Sequence, residues 1–121
     1  MKRHDFIVFT LVRAGFRTSL KGFAQFCLSV ELYLDDSVAT IDKIYEIISV
    51  RFSCSKSAVE KNIRRLILSS DAGAAASALF GADVSDASNK EIVALFANYV
   101  ALHYERSTKN GAQSSAAIAT L

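Results

Sequence analysis

Apolar residues recur along this chain with the spacing of amphipathic helices. From Lys21 to Asp35, Phe23, Phe26, Cys27, Val30 and Leu34 keep one face apolar. After Thr40, Ile41, Ile44, Tyr45 and Ile48 recur at i, i+3, i+4 and i+7, and Phe52 is expected to close that stripe. An earlier helix is expected over Asp5 to Ala14, ended by Gly15. Ser53-Cys54-Ser55 reads as a turn, with Ser55 capping a helix whose buried stripe is Val59, Ile63, Leu66 and Ile67. Past Asp71-Ala72-Gly73, AAASALFG predicts a short helix stopped by Gly81. Ser88 and Glu91 form a capping box for a last helix carrying Ile92, Leu95, Phe96, Tyr99 and Val100. From Ser107 to Leu121 small and polar residues replace the pattern, and a disordered tail is expected. The sum is an all-α fold, a compact bundle of about five to six helices containing a helix-turn-helix. One domain is expected over residues 1–106, followed by the tail at 107–121.

Size and composition fit one core. The chain has 121 residues, 51% hydrophobic and 21% charged, with no proline. Its net charge of +2 says little about partners, but the distribution says more. Arg51, Lys56, Lys61, Arg64 and Arg65 face only Glu60 within residues 51–65, a local +4 that leaves the other 106 residues at −2. The opening MKRHDFIVFTLVRAG imitates a signal peptide, but Phe6 to Val12 is short for its apolar region and Arg13 interrupts it. A first core helix is the expectation, with no membrane span anywhere, since a span needs about 20 apolar residues.

Catalytic and metal chemistry find no pattern. Cys27 and Cys54 have neither a CxxC spacing nor nearby histidines, so free thiols in a cytoplasmic protein are expected. His4 lies near the N-terminus and His103 continues the last helical stripe, where a satisfied, partly buried imidazole is the simpler reading. Asp35-Asp36 reads as a solvated helix end, and glycine-rich phosphate loops are missing. The expectation is a non-enzyme without cofactor or metal.

The helix after Ser55 holds the functional question. With Val59, Ile63 and Leu66 buried, 100° per residue puts Ser57, Lys61 and Arg64 opposite, with Arg65 and Glu60 flanking. Long cations and short hydroxyls are what phosphates and base edges require. A short turn joining two helices, the second basic outside, is the helix-turn-helix pattern. The same pattern also occurs as a bundle corner with a solvated face, and a protein-interaction module is the competing reading.

Several segments together resemble a known family. LKGF at 20–23, IDKIYEIISVRF at 41–52, SKSAVEKNIRRLI at 55–67, LFG at 79–81 and SNKEIVALFANYV from Ser88 are similar, in order and spacing, to the C-terminal DNA-binding effector domain of the stage-zero sporulation response regulator of endospore-forming bacteria. The resemblance covers about Gly15 to His103. It implies recognition of double-stranded DNA, two copies side by side on tandem boxes, and transcription control through contact with RNA polymerase. Lys56, Ser57, Glu60, Lys61, Arg64 and Arg65 are the DNA-binding candidates; Ser57, Glu60, Lys61 and Arg64 match the family's contact motif.

The chain departs from that family in three places. Ala58 stands where the family usually has an arginine, which removes a bidentate donor for guanine. Lys61 replaces a second arginine, keeping charge without the planar fork. The loop near LFG, associated in the family with polymerase contact, is shortened and alanine-rich. These 121 residues also leave no space for the phosphoacceptor domain that family members carry, so a stand-alone effector domain is expected.

Overall fold

A computed structural model describes the backbone of residues 1–36, 38–69, 80–81 and 86–120, and the side chains of these apart from 69 and 105–120. Among the described residues there are five helices and no strand: α1 (Arg3–Arg13), α2 (Lys21–Asp35), α3 (Ile41–Arg51), α4 (Lys56–Ser69) and α5 (Asn89–Thr120). The all-α expectation holds. The expected alanine-rich helix lies outside the described residues, apart from Phe80, which is helical, and Gly81 at φ +69°.

Helix starts follow local chemistry. Thr40 Oγ1 accepts the Lys43 amide at 3.2 Å, and Ser55 Oγ accepts the Ala58 amide at 3.0 Å. Ser88 Oγ accepts the Glu91 amide at 3.2 Å while the Glu91 carboxylate reaches the Ser88 amide and hydroxyl, so the expected capping box is formed.

The helix ends α1 and α3 close in the same way. Gly15 (φ +92°) sends its amide to the Val12 carbonyl, and Phe16 sends its own to Leu11. At α3, Ser53 (φ +54°) donates to Val50 and Cys54 to Ser49. Both are Schellman closures, which satisfy carbonyls left open in the last turn.

α2 is the centre of the bundle and packs on all four other helices. Its buried set extends beyond the expected stripe to Gln25, Leu28 and Ser29, while Leu34 is only half-buried. Phe26 stacks on Phe16 at 5.3 Å and meets Phe96 of α5 edge-on at 5.7 Å, so the connection after α1, α2 and α5 share one aromatic cluster. Polar contacts tie α1 to the far end of α2: an ion pair of Arg3 with Asp35 at 2.6 Å and a hydrogen bond between His4 and Glu31 at 3.3 Å.

Where α2 crosses α4, Gly22 leaves no room for a side chain. A Cβ there would run into the Asn62 carbonyl oxygen and lie 3.2 Å from Leu66 Cβ.

Two expectations change. On α5 the buried stripe is Ile92, Val93, Phe96, Ala97 and Val100, whereas Leu95 and Tyr99 are half-buried; the packing partner selects a face turned toward Val93 and Ala97. Phe52 does not close the α3 stripe: as the C-cap it stays 39% exposed, because the helix has already turned away. The backbone of α5 runs on to Thr120, through a stretch free of proline and rich in alanine, the strongest helix former.

Candidate nucleic-acid interface

α4 is held from below by apolar and polar contacts. Val59, Ile63 and Leu66 are fully buried, and Ile67 is half-buried. Beside them, Asn62 Nδ2 donates to Gln25 Oε1 at 3.2 Å, and Gln25 Nε2 reaches Cys54 Sγ at 3.9 Å. Gln25 is itself buried. One polar side chain of α2 therefore touches both the turn and the middle of α4, next to the tight crossing at Gly22. Buried polar groups of this kind must find partners, so the network specifies how α4 sits as well as stabilising it.

The outer face follows the 100° arithmetic in part. Lys56, Ser57, Glu60, Lys61 and Arg65 are exposed, and Arg64 is half-buried. Lys56 Nζ is bound to both carboxylate oxygens of Asp42 on α3, at 3.2 and 3.3 Å. Arg64 Nη1 donates to the Ala87 carbonyl at 2.9 Å, which turns the guanidinium toward the start of α5. Leu68, 66% exposed, lies within about 20° of the Ser57 direction on the helical wheel and adds an apolar group to the outer face. Ala58 is half-buried in the first turn.

Arg64 borders an open depression of about 320 Å³ together with Tyr45, Glu60, Asn89 and Lys90. Asn89 Nδ2 donates to the Tyr45 hydroxyl at 3.1 Å and to the Glu60 carbonyl at 3.2 Å, fastening α5 to α3 and α4. Its Oδ1 is buried with no partner among the described residues. Burial raises the Tyr45 pKa and the Glu60 charge adds to the rise, while the hydrogen bond from Asn89 opposes it.

Sequence reading missed Asp42, Gln25, Asn62 and Ala87 as partners of this region. Only Asp42 carried a signal, an acidic residue in the first turn of the preceding helix. Among the described residues, no group of three or more His, Cys, Asp or Glu could hold a metal. Both cysteines are free, and among the described residues no helix is long and apolar enough to cross a membrane. Neither protein-family models nor curated proteins yield a match to the chain.

Proposed function

We propose that the protein binds double-stranded DNA through a helix-turn-helix formed by α3 and α4, with α4 in the major groove, and regulates transcription from the cytoplasm in the manner of the sporulation regulator it resembles. The observation that carries this reading is the seating of α4: a tight turn, a buried apolar stripe and the Gln25–Asn62 bond hold it while Ser57, Glu60, Lys61 and Arg65 stay exposed. Lys61 and Arg65 supply charge for phosphates, and Ser57 and Lys61 supply donors for base edges. Two copies on adjacent boxes, and contact with RNA polymerase, belong to the same proposal.

Salt dependence of binding to duplex DNA, read by fluorescence anisotropy, tests it. If Lys56, Lys61, Arg64 and Arg65 each neutralise a phosphate, log K falls against log salt with a slope of about −3.6. Each cation that keeps an intramolecular partner instead, as Lys56 does with Asp42 or Arg64 with Ala87, makes the slope shallower by about 0.9. Arg65→Ala weakens all sequences alike and flattens the slope by about one. A flat dependence or no binding at low salt sinks the proposal. The second reading, a helical interaction module without base readout, draws on Leu68 exposed on the same face and on the partners already held by Lys56 and Arg64.

A further inference from the structure

A second surface lies away from α4. α1, α2 and the end of α3 enclose an open groove of about 290 Å³ that takes no residue from α4. Val8, Phe23, Leu28 and Phe52 make its apolar lining. Beside it, on the outer side of α3, a shallower depression of about 380 Å³ is lined by Ile47 and Val50 among others. Arg51 belongs to both. Val50 is 77% exposed, Phe52 39% and Ile47 36%, so the two depressions form one apolar strip open to water, with a single guanidinium at its middle.

The charges along that strip are unequal. Glu31 at the groove rim already has a hydrogen-bond partner in His4 at 3.3 Å, and Glu46 on α3 is paired with Lys43 at 3.5 Å. Among the described residues, no carboxylate lies within ion-pair distance of Arg51. What the strip leaves without a polar partner is one guanidinium flanked by apolar surface on both sides.

We infer that this strip docks a segment of a partner protein in which a carboxylate meeting Arg51 is flanked by apolar side chains on both sides, one filling the groove and the other covering Ile47 and Val50. Arginine suits the role because its fork binds a carboxylate bidentately and its stem lies comfortably on apolar surface. A small amphiphilic acid would fill the groove and leave the Ile47–Val50 side bare. A nucleic-acid backbone would bring several phosphates to a surface offering one unmatched cation and exposed valine and isoleucine. The inference does not depend on DNA binding, since the strip and the outer face of α4 share no residue.

The test uses the full chain, labelled with ¹⁵N, titrated with capped twelve-residue peptides that carry one glutamate between two leucine-rich turns. Matched peptides with glutamine or lysine in place of the glutamate, and sodium decanoate, are the comparisons. The glutamate peptides are expected to shift the amides of Leu28, Val50, Arg51 and Phe52 saturably. The glutamine versions should bind about tenfold more weakly, the loss of one charge-assisted contact. Val50→Asp and Arg51→Glu should each abolish the shifts; both positions are exposed, and the same spectra report whether the fold is kept. No saturable shift at millimolar peptide, equal binding of glutamate and glutamine versions, or decanoate binding where the peptides do not, overturns the inference.

Discussion

The corner after α1 and the corner after α3 use the same pair of hydrogen bonds and differ in what holds them. In the first, glycine takes the left-handed position at φ +92° and the next residue, Phe16, enters the aromatic core at 4% exposure. In the second, a serine takes that position at φ +54°, and the next residue, Cys54, is only half-buried against Gln25. A left-handed residue bearing a Cβ costs roughly 1–2 kcal/mol, a cost glycine does not carry. The first corner is thus unstrained and anchored by apolar packing. The second is strained and anchored by a polar relay, and it is the corner that orients the candidate interface. Strain stored beside a site of this kind is a recurring arrangement, and here it rests on the positive φ of Ser53.

The largest test of the difference lies in the anchors. Phe16→Ala should destabilise by about 3–5 kcal/mol, the usual cost of deleting a buried phenyl ring. Cys54→Ala should cost about 1 kcal/mol or less, and denaturant midpoints of the two variants measure the contrast. If they lose equal stability, the second corner is anchored as firmly as the first.

Helices leaving the two corners cross at Gly22, so Gly22→Ala perturbs both. The added methyl meets the Asn62 backbone, which cannot swing aside, and a loss of about 1–3 kcal/mol is expected by the same measurement. If the crossing carries the interface, DNA affinity should fall together with stability.

The buried thiol of Cys27 makes the core sensitive to alkaline pH. Burial, reinforced by the Glu31 charge, pushes the Cys27 thiol up to about 12 from 9.0. Its neutral form is favoured by the fold, so this contribution is fully present below pH 9.0 and is lost between there and about 12, because the unfolded chain releases the proton first. The slope is at most about 1.4 kcal/mol per pH unit. Cys27→Ala should flatten the alkaline fall in thermal midpoint. An unchanged fall in that variant would contradict the assignment.

The backbone test is the smallest and has opposite signs at the two corners. Gly15→Ala should destabilise by about 1–2 kcal/mol, while Ser53→Gly should stabilise by about 1 kcal/mol, less the entropy that glycine adds to the unfolded chain. If Ser53→Gly also loosens DNA binding at unchanged fold, the serine is kept for the orientation of α4.

Much of this was legible in the chain because it is local. Thr40, Ser55 and Ser88 cap helices through bonds that reach three residues ahead, and Val59, Ile63 and Leu66 repeat with the helical period. The outward direction of Ser57 and Lys61 follows from the same period. Arg64 was placed on that face too, but at half-burial its guanidinium is used on Ala87, and no periodicity could reveal a carbonyl 23 residues away. Lys56 met Asp42 across 14 residues for a similar reason: the pair exists only once α3 and α4 fold back on each other.

The sequence by itself determined the helical class, the caps and the stripe of α4, because hydrogen-bond reach and side-chain periodicity operate within a few residues. Only the tertiary structure decided that α2 would be the central helix, buried well beyond its apolar stripe, since burial on every side depends on how many neighbours arrive. It decided which side of α5 faces inward, between candidate faces of nearly equal hydrophobicity. It also decided how many of the cations in residues 51–65 remain for a partner, because a long side chain's charge goes to whichever group the fold brings within about 3 Å.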